Sequence, residues 1–411
     1  MYSKQVRLYK EDIYKFKCSR VKLPSIIDDS YVQKMIFTSS LSNMDDFLSW
    51  GLCGKDVSNI NMDGLSTAKF SKLCFDENTI FSEEQKIKFN PQKLLELKKS
   101  FLSSMKELKE IGLDGTGINV GIIDSEFNFQ HDEFCDGEGN SRIKINKTFY
   151  NHDSMPEWEG FHGKTVTSIG FGKNCGIACN SNIYLFCKNP EAYNDEIECI
   201  IEERESILKY ILENNIKLDV ISMSFGMENT KTYLKYKNVF EARGCTLIDS
   251  GVFFESFTYG NYENNEIALN DAFQIMYDNI DKFSDKRKQK LEKMRNNILI
   301  PAGGRTYLQV GNNGYMYNGF GSASWAIPEA AGIFAICKQL DPNISYDKFV
   351  EIVKDTSLIN SGGFKYIDLK GMVIEINNRN KKLSKEKEEY NEIYKSSNKL
   401  ISRLYKSKED R

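Results

Sequence analysis

Three polar side chains stand out for where the chain places them. Asp124 closes the apolar run Ile118-Asn-Val-Gly-Ile-Ile-Asp124. His162 lies in the turn-like stretch Gly160-Phe-His-Gly-Lys. Ser324 sits where the small-residue turn Gly321-Ser-Ala-Ser324 enters the apolar stretch Trp325-Ala-Ile-Pro-Glu-Ala-Ala-Gly332. A serine at a helix start is surrounded by free backbone N–H groups that favour negative charge. Attack of its hydroxyl on a carbonyl creates an oxyanion at that place, so the position suits a nucleophile. Taken alone, Ser324 reads better as a helix cap. Its company changes that reading: an imidazole can take the serine proton, and a carboxylate can fix the imidazole tautomer and stabilise the imidazolium. The chain has only three histidines, at 131, 152 and 162, so one in this setting is not background. Without chemistry, His131 and His152 read as surface loop residues and His162 as a capping or core residue.

The elements that must position this trio alternate between strand and helix patterns. Strand-like runs are 118–124, 182–186, 218–224, 245–249 and 297–301. Helical patterns occupy about 90–111, 196–214, 233–242, the stretch after Ser324, and 345–356. Such alternation predicts an α/β fold, a doubly wound and mainly parallel sheet with helices on both faces. In such a sheet, strand carboxyl ends and the following helix starts share one rim, which brings Asp124, His162 and Ser324 to the same side. Residues 253–296 break the rhythm and read as aromatic and Asn-rich loops, with a solvated charged helix at 281–295. Residues 1–111 carry no motif and read as an N-terminal extension or small domain, expected to stay attached and pack on the domain formed by 112–376. The Lys- and Glu-rich residues 377–411 read as an exposed tail.

Bulk properties exclude several classes. Net charge is -3, which argues against nucleic-acid binding. No run approaches the roughly 20 apolar residues of a membrane helix, and the polar first residues lack a secretory signal. Ten cysteines are scattered without a disulfide rhythm, which together with those first residues points to reduced thiols and a cytoplasmic location. Cys175 and Cys179 are close, but no histidine or second pair accompanies them, so a zinc site is not indicated.

The order Asp, His, Ser and the local sequences resemble the subtilisin-like serine proteases, or subtilases. Gly117-Ile-Asn-Val-Gly-Ile-Ile-Asp-Ser125 resembles the aspartate motif of that family, with His131 at a downstream histidine. Phe161-His-Gly-Lys-Thr-Val-Thr-Ser168 resembles its His-Gly-Thr-His-Val-Ala-Gly, with Thr165 at a position often held by a second histidine. Ser324-Trp-Ala-Ile-Pro-Glu-Ala-Ala-Gly332 resembles its Ser-Met-Ala-x-Pro-His-Val-Ala-Gly, and Pro328 selects Ser324 over Ser322 as nucleophile. The resemblance covers about residues 112–372. It implies a seven-stranded parallel sheet, endopeptidase chemistry on a protein or peptide substrate, and catalytic roles for Asp124, His162 and Ser324. It also places substrate contacts at Ser224, Phe225 and Gly226, whose edge pairs with an extended peptide. Asp249, Ser250 and Gly251 fall on the facing wall of the pocket for the residue before the scissile bond.

Two departures qualify the resemblance. The family carries an asparagine that donates to the oxyanion, and Val252 stands in its register. Valine has no side-chain donor, and loss of such a donor costs about 10²–10³ in rate. The backbone N–H of Ser324 remains; the substitute side-chain donor is unidentified, with Asn261, Asn264 and Asn265 nearby in sequence. Gly319-Phe-Gly-Ser-Ala-Ser324 also replaces the usual Gly-Thr-Ser. Two readings follow: an intracellular serine endopeptidase with a specific processing or regulatory substrate, or a peptide-binding pseudoprotease left slow by the missing asparagine. Asp249 likewise has two readings: an acid in the pocket favouring Arg or Lys, or a helix cap turned away from it. No cofactor is called for. Many subtilases bind calcium, but no acidic loop here can be assigned to it.

Overall fold

The computed structural model describes residues 23–41, 51–100, 103–127, 129–149, 162–188, 197–226, 231–263, 266–308, 314–382 and 385. Its strands are β1 (Cys74–Asp76), β2 (Asn119–Asp124), β3 (Ile143–Thr148), β4 (Asn182–Cys187), β5 (Val220–Ser222), β6 (Thr246–Ile248), β7 (Phe257–Glu263), β8 (Glu266–Leu269), β9 (Ile298–Gly303), β10 (Arg305–Leu308), β11 (Tyr315–Asn318), β12 (Leu358–Ile359) and β13 (Lys365–Tyr366). Five of them form a parallel sheet in the order β3-β4-β2-β5-β6. The order reverses direction at β2: the chain first goes out to the edge at β3 and returns beside β2 with β4, then crosses and moves outward on the other side through β5 and β6. Open sheets of this kind place their sites at such a reversal, beyond the strand carboxyl ends, and Asp124 is the last residue of β2. Residues 120–124 are all buried, as strands covered by helices on both faces must be.

A second, mixed sheet, β12-β13-β9-β7-β8, holds three further parallel strands, β13, β9 and β7. The parallel strands expected in one sheet are thus divided between two, and no ladder joins β6 to β7 among the described residues. The reason is local. β6 has three residues and runs straight into a short helix, Ser250–Ser256, which ends where β7 begins. The stretch read as loops over 253–296 therefore contains a hairpin, β7–β8. Gly260 and Asn261 interrupt its strand propensity, which is why the sequence pattern missed it. The charged run does form a helix, Asp285–Arg295, with Leu291 and Met294 buried.

The N-terminal region packs on this framework. β1 pairs antiparallel with β11, Cys74 opposite Asn318, and β11 pairs with β10. Phe70, Phe75, Phe81 and Phe89 share a core with Tyr317 and Phe320, the residues leading into the Ser324 turn. The helix Glu83–Phe89 opens on a capping box of Ser82 and Gln85. The tail read over 377–411 lies outside the described residues from 386 onward.

Two helices at the centre carry the remaining site residues: His162–Phe171, buried from Gly163 on, and Ala323–Leu340, buried from Trp325 to Lys338. They cross at two glycines. A Cβ on Gly170 would stand 2.7 Å from the Pro328 carbonyl oxygen, and one on Gly332 would stand 2.8 Å from the Gly170 oxygen. Only hydrogen at both positions lets the backbones approach this closely.

An ion pair with no solvent exposure locks the crossing. Arg305 Nη1 of β10 lies 2.7 Å from Glu329 Oε2 on the second helix. Arg305 Nη2 also donates to the carbonyls of Ile169 and Cys175. Burial pushes the Glu329 carboxyl up, against the opposing pull of Arg305. Removing one partner strands the other charge. Arg305→Met should therefore lower stability by about 3–5 kcal/mol, and Arg305→Met/Glu329→Met should recover much of the loss. Urea unfolding of the three proteins checks this; a double variant as unstable as the single would reject the pairing argument.

Candidate active site

His162 opens its helix, and its side chain is 29% exposed against 3% for Asp124. The two are 2.8 Å apart, His162 Nδ1 to Asp124 Oδ1. Gly163 makes this contact possible. A Cβ there would stand 2.0 Å from the Ser125 carbonyl oxygen, so any other residue would push the helix start away from the end of β2. The Gly163 N–H donates to Ser125 Oγ at 3.0 Å, and the Ser125 N–H donates to Asp124 Oδ1 at 2.7 Å. Burial alone would raise the Asp124 carboxyl. The charge and hydrogen bond of His162, the charge of Lys188 and the Ser125 N–H outweigh it and hold the group below its ordinary value.

Ser324 is the second residue of its helix. Ser322 occupies the cap position, but its side chain makes no capping bond. The Trp325 and Ala326 N–H groups turn back to the Ser322 carbonyl. The Ser324 N–H comes before these two and has no carbonyl to reach within the helix. Trp325 joins this turn to the histidine: its ring centroid lies 5.3 Å from that of His162 and 5.5 Å from that of Tyr307. Trp325 was not singled out in the sequence, although an aromatic residue directly after a candidate nucleophile is a usable signal. The structure thus joins His162 to Asp124 by a hydrogen bond and to the Ser324 turn by ring packing.

The expected substrate contacts are placed as follows. Ser224 Oγ donates to the Ser324 carbonyl at 2.9 Å, so it braces the Ser324 turn. The Phe225 ring carries the Arg204 guanidinium 4.2 Å from its centroid and Lys188 at 5.7 Å. The Gly226 carbonyl accepts from Arg204 Nη1. Asp249 is 1% exposed. Its Oδ1 caps the Ser250–Ser256 helix through the Val252 N–H at 2.8 Å, and its Oδ2 accepts from the Tyr233 hydroxyl at 3.1 Å. Of the two readings of Asp249 the structure has the cap, because an acid buried at a helix start finds its partners in the free N–H groups there. Val252 is buried inside that helix and offers no side-chain donor. Asn261 is also buried, its amide directed to Asp271 and Asn270. Asn264, Asn265 and His152 lie outside the described residues. His131 caps a short turn through Nδ1, and Thr165 Oγ1 is bonded to the Leu308 carbonyl. Among the described residues no group of three or more acids, cysteines or histidines could hold a metal ion.

The model of the Subtilase family matches residues 115–392. The chain belongs to the subtilase family. This subtilase is a serine endopeptidase, and its α/β architecture is the subtilisin-like fold. Similar solved structures include a cold adapted subtilisin-like serine proteinase, at 16% identity and TM-score 0.39, covering 62% of this chain and 89% of that one. Another is MycP1 with the N-terminal propeptide removed, at 12% identity and TM-score 0.43, covering 67% and 96%. No curated protein sequence matches this subtilase. No helix among its described residues is long and apolar enough to cross a membrane.

Proposed function

We propose that Asp124, His162 and Ser324 are the catalytic triad of this endopeptidase, and that it acts inside the cell on a specific protein or peptide in a processing or regulatory cleavage. The observation that carries the reading is the 2.8 Å contact of His162 Nδ1 with a buried carboxylate at the sheet's reversal point. With Nδ1–H donated to Asp124, Nε2 is left to accept the Ser324 proton. The Ser324 oxygen attacks the peptide carbonyl, and the oxyanion forms beside the Ser324 N–H at the helix start. His162 then passes the proton to the departing amine, leaving an acyl-enzyme that water hydrolyses by the same relay.

Val252 supports a slow, selective enzyme over a digestive one. With valine in the register of the asparagine, turnover is expected about 10²–10³ below that of a site with the asparagine. The intracellular part of the reading rests on cysteine usage: the eight described cysteines are free thiols, and seven of them are buried. A fluorophosphonate probe, which phosphonylates an activated serine with loss of fluoride and needs no substrate sequence, tests the assignment. Wild type should gain one adduct by intact mass and Ser324→Ala none. A folded wild type that stays unlabelled would leave the chain a peptide-binding relative of the enzymes.

A further inference from the structure

The two segments assigned to the walls of the primary specificity pocket do not part. β5 and β6 run in register as far as Ser222 opposite Ile248. Beyond the strand ends one more ladder bond forms, and after a bend at 224–225 a second bond closes out of register. The Met223 N–H donates to the Ile248 carbonyl at 3.0 Å, and the Ser250 N–H donates to the Phe225 carbonyl at 3.2 Å. The second bond ties the two segments directly to each other, so no side chain passes between them at Phe225 and Ser250. The remaining space is taken up by a hydroxyl: a Cβ built on Gly226 would stand 3.0 Å from Ser250 Oγ.

Neither wall offers depth by turning its side chains. Asp249 points to Tyr233 and to its own helix. The Phe225 ring lies under Arg204. Directly after Ser250 the chain coils into the Ser250–Ser256 helix, with Val252 and Phe253 packed inward. Among the described residues, what a bound peptide meets at this place is therefore a closed rim made of Gly226, Ser250 and Gly251.

Resting on the catalytic reading above, we propose that this subtilase cleaves after residues with little or no side chain, glycine or alanine, and that Ser250 sets the limit. A larger side chain at that position has no slot to enter and must stay in water or lift the peptide off the edge. The closed rim also removes the basis for an Arg or Lys preference through Asp249.

The test uses the purified full chain and diphenyl phosphonates whose aminoalkyl group carries the side chain of glycine, alanine, leucine, phenylalanine or arginine. These phosphonylate the catalytic serine at a rate that reports how the side chain fits. The glycine and alanine compounds should react at least about tenfold faster than the other three, the scale of discrimination by a shallow apolar site. Ser250→Gly, which removes the hydroxyl against Gly226, should narrow the alanine-to-leucine ratio several-fold. The simple fluorophosphonate, which carries no such side chain, reports whether each protein is folded and has an activated serine. Labelling by it, with leucine, phenylalanine or arginine equal to or faster than alanine, would overturn the closed pocket and leave the triad standing. Labelling by it with none of the five phosphonates reacting would also overturn the closed pocket, because the glycine compound should fit. A wild type that even the simple probe leaves untouched would remove the triad and this proposal with it.

Discussion

Ser324→Ala should cleave peptides about 10⁴- to 10⁶-fold more slowly than the wild type, the general scale for loss of one member of a Ser-His-Asp unit. His162→Ala should fall as far. The double variant should be little worse than either single, because a nucleophile without its base and a base without its nucleophile fail at the same step. Folding should survive the serine change. Ser324 Oγ makes no hydrogen bond among the described residues, and the carbonyl that Ser224 holds belongs to the backbone. Steady-state kinetics with matched circular dichroism decide the matter. Activity of Ser324→Ala near wild type would end the assignment, and multiplicative losses in the double variant would show that the two residues do not act together.

Asp124→Asn should lower kcat by about 10⁴ while leaving the shape of the site in place, because an amide at this position can favour the wrong imidazole tautomer. The variant also carries a pH signature. The Asp124 carboxyl is held below its ordinary value of 3.8 in the folded protein, its neighbours outweighing the opposing effect of burial. A group whose folded value is depressed contributes stability above the unfolded value and loses it as pH falls through the folded one. The stability advantage of wild type over Asp124→Asn should thus be full at neutral pH and shrink on acidification below 3.8. Urea midpoints at pH 7 and at about pH 3 measure it, with the unfolded carboxyl near its reference value. A gap that stays constant between the two would place its origin in packing, not in the ionised carboxylate.

Much of the molecule could be read from the chain because the information was local. The apolar, β-branched runs at 118–124, 182–186 and 245–249 gave strands since both faces of a helix-covered sheet are dry. The helix after Ser324 was legible from its small and apolar residues. Asp124, His162 and Ser324 could be singled out because each sits at a junction between element types, and such junctions meet on one rim in a doubly wound sheet.

What the chain could not show depends on partners far away in sequence. β1 carries no periodic signal in three residues, and its pairing with β11 spans the distance from Cys74 to Asn318. The hairpin β7–β8 is written in residues that strands usually avoid, and it holds because β9 pairs alongside. Trp325 appeared as one apolar residue among several, and only the crossing of two helices at Gly170 and Gly332 puts its ring against His162. Asp249 is the sharpest case. Its place in the chain allowed either a pocket acid or a cap. The choice fell to Tyr233 and the helix beginning at Ser250, because a buried carboxylate settles where hydrogen-bond donors surround it. The order and chemistry of the three site residues were set by the sequence alone; the direction of each neighbouring side chain, and so the shape of the pocket, was decided by packing.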